Sequence, residues 1–235
     1  MTIDATNPAD APQRVCFVVP GRLPTGGRPA IAPLSPPPLV GEALATLLAL
    51  LGCGEEAAAN AFDGLAALAD DPVASAALAR IAAEERVHDA LLRDLRAALP
   101  VPQRRTMLMA RSRRLHLDLA AGGPALHFAR IAALDAAVCL VLTRLLTRGG
   151  VVAGLPAARD ILVRIRTDEA RHVTMARAMT RRFADRGAMR AAAAQARSDM
   201  ADVLRLARAE FEILGVDSER LIGDVARLPA GLIAA

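Results

Sequence analysis

Two stretches decide how this chain folds: Ile81-Ala82-Ala83-Glu84-Glu85-Arg86-Val87-His88 and Ile165-Arg166-Thr167-Asp168-Glu169-Ala170-Arg171-His172. Aligned, both read Ile-x-x-acid-Glu-x-x-His. Neither holds Pro or Gly, and both lie in Ala/Leu/Arg-rich runs whose apolar residues recur every three and four positions, the period of a helix. Residues three apart share a helix face, so each Glu reaches the same point as its His. Glu85 and His88 continue a stripe made by Leu78, Ile81, Leu92 and Leu95, and Glu169 and His172 continue one made by Leu162, Ile165 and Met179. Both pairs therefore face a core. A buried carboxylate is very costly unless a cation or a metal ion partners it. Two such pairs point to two metal ions.

Working outward, breakers divide the chain into helices. The spacing predicts helix over 41–69, ending at Asp70-Asp71-Pro72, then over 72–99, ending at Pro100-Val101-Pro102. A basic connector, 111–121, holds a short helix of its own before Gly122-Gly123-Pro124. Further helices are expected over 125–148, 157–185 and 187–214, and Asp217 caps a last short one. Residues 1–39 are rich in Pro and Gly, which excludes helix and predicts an extended arm; within it, Val15 to Val19 reads as a strand or as arm packed on the core. The expected fold is all-α. It has a Pro/Gly-rich arm at 1–39, a four-helix bundle with one long crossover between its second and third helices at 40–186, and a C-terminal helical extension at 187–235.

The first and third long helices should each add a carboxylate. In the first, Glu55 is flanked at helical spacing by Leu48, Leu51, Ala59 and Phe62, whereas Glu56 points toward Asn60 and Asp63, the polar side. The third has one acid, Asp135, with Phe128, Ile131 and Val138 around it. Glu55 lies 30 residues before Glu85 and Asp135 lies 34 before Glu169. Near-equal separations suit two antiparallel hairpins related by a pseudo-twofold axis.

With these residues in place, the chain resembles the ferritin-like di-iron carboxylate superfamily, which includes rubrerythrin, the ribonucleotide reductase small subunit and bacterial di-iron oxygenases. Gly54-Glu55-Glu56-Ala57-Ala58-Ala59-Asn60 is similar to the first ligand region of rubrerythrin, and Asp168-Glu169-Ala170-Arg171-His172 to the fourth-helix motif of the reductase subunit and many oxygenases. The resemblance covers about residues 41–185. It implies a ferritin-like bundle, two iron ions (or manganese, or one of each) held by Glu55, Glu85, His88, Asp135, Glu169 and His172, and O2 activation in which Glu55, Glu85 and Glu169 take part. It also implies that Asp168 holds His88 and, by symmetry, that Glu84 holds His172. Cys139, one turn after Asp135, falls where some di-iron monooxygenases place a pocket Thr. Asp135 departs from the usual Glu by one methylene. Val138 stands in place of rubrerythrin's second third-helix Glu, and no CxxC module is present.

Composition narrows the rest. The chain has 235 residues, 54% hydrophobic and 23% charged, enough for a sizeable core. With no Tyr, a tyrosyl radical is excluded; with no Trp or Tyr and only five Phe, base stacking is poorly served and nucleic-acid binding is not expected. The net charge of +4 comes entirely from Arg, which reads as compositional bias. Cys16, Cys53 and Cys139 show neither a disulfide framework nor zinc spacing. The longest uncharged helix-like run, Ala43 to Gly54, is short for a bilayer span, and nothing at the N-terminus reads as a signal peptide, so a cytoplasmic location is expected. His116 and the run Arg111-Ser112-Arg113-Arg114 are expected to face solvent; His127 reads as a core or surface residue. The expected partners are O2, a small organic substrate and an external electron donor, and the reading allows a homodimer. The alternatives are a ferroxidase or storage-like metal protein, and a helical scaffold whose site has decayed.

Overall fold

The computed structural model describes residues 16–17, 20–21, 34–101 and 106–229. Most of the expected arm and its Val15–Val19 segment lie outside these residues, as do 102–105 and 230–235. Among the described residues there are eight α-helices, one 3-10 turn and no strand: α1 (Pro38–Ala67), α2 (Pro72–Ala97), α3 (Thr106–Asp118), α4 (Pro124–Leu145), α5 (Pro156–Thr180), α6 (Arg186–Leu206), α7 (Arg208–Ile213) and α8 (Ser218–Ala226).

Four of the long helices begin on a proline. Pro38, Pro72, Pro124 and Pro156 each occupy the first turn, where the missing N–H costs nothing and φ is already helical. That moves three starts one to three residues ahead of the expected ones. Asp71, Asp185 and Asp217 cap α2, α6 and α8 by accepting from Val73 N, Ala188 N and Arg220 N. The helix expected over 187–214 is divided at Ala207, whose φ of −105° and ψ of 17° turn the chain from α6 into α7. The turn carries neither Gly nor Pro, so no local signal announces it.

α1 packs on α2, α4 on α5 and α6, α2 on α5, and α6 on α8. Residues 68–71 join α1 to α2 and residues 146–155 join α4 to α5, while α2 reaches α4 only through the long connection that holds α3. The apolar interior forms two clusters. One contains Leu44, Leu47 and Leu48 of α1, Leu92 and Leu95 of α2, Leu142 of α4 and Leu162 and Ile165 of α5. The other contains Phe62 and Leu65 of α1, Leu78 and Ile81 of α2, Phe128 and Ile131 of α4 and Ala176 and Met179 of α5. Each buried Leu or Ile contributes about 2 kcal/mol.

The order in which the helices visit these clusters gives their directions. α1 and α5 run from the first to the second, and α2 and α4 run back. Between the clusters lies a buried polar layer: Glu55, Glu85, His88, Asp135, Glu169 and His172. α1, α2, α4 and α5 each cross it once.

α1 and α4 are long and apolar enough to cross a membrane by length and composition, with mean hydropathies of 1.4 and 1.8. Counting only uninterrupted uncharged residues hid this, because Glu55-Glu56 breaks the run in α1 and Arg130 and Asp135 break it in α4. In the fold, 67% and 56% of those windows are buried in the protein.

Candidate metal centre

Helical spacing builds the site. Glu85 and His88 are one turn apart on α2, Glu169 and His172 one turn apart on α5, and α2 and α5 pack side by side, so the two motifs face each other. Glu85 spans the gap: its Oε2 is 3.2 Å from His88 Nδ1 and its Oε1 is 2.9 Å from His172 Nδ1. Glu169 Oε1 lies 3.6 Å from His88 Nδ1 and 3.5 Å from His172 Nδ1. Glu55 closes the His88 side, with Oε2 at 3.4 Å from Nδ1. The ring centroids are 6.0 Å apart. Phe62 sets its edge against His172, 6.1 Å between ring centroids.

The far nitrogens are held crosswise. His88 Nε2 donates to Asp168 Oδ2 at 3.0 Å, and His172 Nε2 donates to Glu84 Oε2 at 3.0 Å. Each ring is anchored by the acid of the opposite motif. A carboxylate can only accept, so the proton sits on Nε2 and Nδ1 is left to the buried carboxylates. Arg171 bonds both outer acids, Asp168 and Glu84.

The charge balance of this layer is unusual. Burial alone would push both imidazoles down, but contacts with Glu169, Glu55 and Glu85 carry His88 far above its ordinary value, and contacts with Glu169 and Glu85 carry His172 to about 12. Burial, then the charge of Glu85, holds the Glu55 carboxyl well above the carboxylate range. Burial, with the charges of Glu169 and Glu85, does the same to Asp135. Glu85 goes the other way, since its contacts with His172 and His88 overcome burial. Without a metal, the layer balances itself by keeping protons.

These residues fit a bound metal cation. Glu55, Glu85, His88 and Glu169 each offer a donor atom, all within 4.8 Å of one another. On the other side, His172 Nδ1, Glu169 Oε1 and Asp135 Oδ2 are buried without an aligned hydrogen bond, and a buried polar atom without a partner is expensive. Four carboxylates formally neutralise two divalent ions, with both histidines neutral. The mixed carboxylate–imidazole set suits iron and manganese. The two halves are not equal, however. Asp135 faces the His172 side, and neither it nor His172 belongs to the compact group.

Other expectations are corrected by the packing. Glu56 is not on a solvated polar face: it is buried, and its Oε2 accepts the backbone N–H of Phe17 at 2.7 Å. Cys139 does not line the cavity next to the cluster. Its thiol, which burial pushes up to about 12, points at the Arg166 carbonyl 3.9 Å away, and Val138 takes the wall position. His116 is half-buried against Gly54 and Phe17 instead of facing solvent, and burial lowers it to about 4. The arginine run belongs to α3, where Ser112 is buried and Arg113 lies over the Phe17 ring, 5.6 Å from its centroid. His127 lines a surface groove with Phe17 and His116.

The cavity opens beside Glu55, Asp135 and Glu169 and runs between α1 and α4, past Val138 and Val141, to Leu47, Leu145, Leu204 and Phe211. From Glu55 back to Leu47 is eight residues, about 12 Å of helix; from Asp135 to Leu145 is ten, about 15 Å. Apart from the carboxylates, Ser112, His116 and Met200, the cavity is lined by aliphatic side chains, Gly54 and Phe211. At its other end the cavity shares Ala57, Ala61 and His116 with the surface groove. No protein-family model, curated protein or solved structure matches the chain.

Proposed function

We propose that this chain is a ferritin-like di-iron carboxylate oxidoreductase that activates O2 and oxidises an apolar organic substrate held in the shaft beside the cluster. The crosswise pairing carries the reading: two Glu-x-x-His motifs share two carboxylates between two histidines, and each histidine is anchored by the opposite motif's outer acid. A structural salt-bridge layer has no need of Asp135, whose Oδ2 is buried without a hydrogen bond. The helix directions support the ferritin-like reading, because α2 and α4 run the same way and only a long crossover can join them.

Two bound iron ions, or an iron–manganese pair, would supply the electrons that reduce O2. Glu55, Glu85, His88, Asp135, Glu169 and His172 would hold them, with Glu85 and Glu169 each lying against both histidines. Asp168 and Glu84 keep the Nε2 protons in place, so both Nδ1 atoms stay available as donors. The aliphatic walls exclude water from the reacting end and orient a chain along α1 and α4. The chain carries no CxxC electron store, so an external donor completes turnover. We place this activity in the cytoplasm.

The test is metal content per chain after anaerobic Fe(II) loading and desalting, followed by absorbance on mixing with O2. Two ions per chain and a transient visible band are expected, with oxidation of an apolar substrate to follow. Continued uptake of many ions per chain would favour the ferroxidase reading. No retained iron or manganese would sink both and leave a helical scaffold.

A further inference from the structure

Cys16 and Cys53 are 37 positions apart, yet the fold sets Cys16, whose neighbour Phe17 donates its N–H to Glu56 Oε2 at 2.7 Å, beside Cys53, and each thiol acts on the other's ionisation. Two anchors explain the placement. The Phe17 N–H donates to Glu56 Oε2, one turn beyond Cys53 on the same face of α1, and the Phe17 ring is held from α3 by Arg113 and by the edge of His116. The backbone on either side of the Cys16–Phe17 peptide is therefore fixed to α1 at residues 53 and 56. Cys53 is buried, receives a hydrogen bond from Ser112 and has its sulfur turned toward the half-exposed Cys16. Cys139, the remaining thiol, is engaged with the Arg166 carbonyl on the α4–α5 side.

We propose that Cys16 and Cys53 form a redox-active dithiol that hydrogen peroxide converts to an intramolecular disulfide, fastening the Cys16–Phe17 segment to α1 beside the groove that leads to the shaft. Cys16 is the entry point because it is the half-exposed member of the pair. Its hydrogen bond with Cys53 favours the thiolate, against burial and the nearby Glu56 charge, and Arg113 and Arg96 help. The thiolate is the nucleophile. Its sulfur attacks one peroxide oxygen; an S–O bond forms, the O–O bond breaks, and the departing hydroxide leaves as water with the proton Cys16 gave up. Cys53 sulfur then attacks Cys16 sulfur, the S–S bond forms, the S–O bond breaks, and hydroxide leaves with the Cys53 proton as a second water. The two thiols lose two electrons and the peroxide gains two.

The experiment uses the whole chain with a chelator present, so it does not depend on a metal centre. Free thiols are counted before and after one equivalent of hydrogen peroxide, and the oxidised protein is peptide-mapped without reductant. Titratable thiols should fall from three per chain to one, with a single cross-link joining residues 16 and 53 that a phosphine reductant reverses. Cys139→Ser should fall from two thiols to none, and Cys16→Ser should keep both of its thiols. A cross-link through Cys139, a cross-link between two chains, or conversion of Cys16 to higher acids with Cys53 still free would overturn the proposal.

Discussion

Asp168→Asn removes one charge from the acid that anchors His88 and leaves its shape. Asp168 Oδ2 accepts from His88 Nε2 at 3.0 Å, with the ring almost fully buried. A hydrogen bond to a charged group contributes about 1.5–3 kcal/mol and a neutral one about 0.5–1.5, so the substitution should cost about 1–1.5 kcal/mol, roughly tenfold in metal affinity. That falls at the lower edge of the ~10–100-fold typical for a residue that anchors a ligating His. Glu84→Gln should do the same through His172, whose Nε2–Oε2 distance is also 3.0 Å. The rings are 6.0 Å apart and each acid touches only one of them, so the losses should fall on different ions. A two-step anaerobic Co(II) titration, competed against a chromophoric chelator, would show Asp168→Asn weakening one step and Glu84→Gln the other, with helicity unchanged by circular dichroism. Arg171→Ala is the control: the guanidinium is half-exposed and bonds both outer acids, so its removal should shift each step by less than threefold. If both acid substitutions weakened the same step, if neither changed either step by twofold, or if Arg171→Ala matched them, the crosswise anchoring would have no part in metal binding.

Three further outcomes follow from the same geometry. Glu85→Ala or Glu169→Ala should abolish binding of a second ion, because each carboxylate lies against both histidines, whereas Glu56→Ala, which removes the acceptor of the Phe17 N–H, should retain two ions per chain by metal analysis; equal losses at all three would contradict the assigned faces. The metal-free protein should melt several degrees lower at pH 9 than at pH 6, taking about 2–4 °C per kcal/mol for a chain of this size. Folded His88 and His172 hold their protons well above the ~6.5 of an exposed imidazole, so their stabilisation is complete below that value and drains away as pH rises toward the folded values, about 12 for His172. Glu55 and Asp135, raised as well, penalise the same rise. Metal affinity should increase over that window because binding displaces these protons, and a flat melting profile would refute the charge assignment. Val141→Phe should fill the shaft about two turns from Asp135, leaving metal content unchanged while oxidation of long apolar chains falls at least tenfold relative to short ones, as measured by substrate competition.

Residues three and four apart on one helix were legible before any coordinates, because a helix face is a local property: Glu85 with His88, Glu169 with His172, and the apolar stripes that carry them. The choice of Glu55 over Glu56 was harder. The two are about 100° apart on α1, and both are buried, since the core covers one and the segment holding Phe17 covers the other. Only the first covering is encoded in helical period; the second joins residues 39 apart in the chain. The same limit hid the meeting of Cys16 with Cys53. Val138 and Cys139 show a finer version of it: neighbours on α4 differ by one step of rotation, and a face drawn from spacing alone does not say which of them meets the cavity and which meets α5. The division at Ala207 has no sequence mark because packing, not a breaker residue, turns the chain there.

The pseudo-twofold relation between the hairpins makes the one mismatch informative. Glu55 on α1 reaches its histidine, with Oε2 at 3.4 Å from His88 Nδ1. Its counterpart on α4 is Asp135, whose Oδ2 is buried with no hydrogen bond. The shortfall is one methylene, about 1.5 Å of reach, and it leaves one half of the layer complete and the other open. An ion on the His172 side would therefore keep a more accessible position, on the side where Asp135, Val138 and the shaft meet. Asp135→Glu restores the missing length against a cavity wall that has room for it, so the two titration steps should converge, the weaker one tightening by at least tenfold. The added carboxylate would also occupy the mouth of the shaft, so substrate oxidation should fall while metal binding improves. Opposite movements of affinity and turnover are the signature of a position kept short for access. Parallel losses in both would mean instead that Asp135 holds its ion as well as this backbone permits.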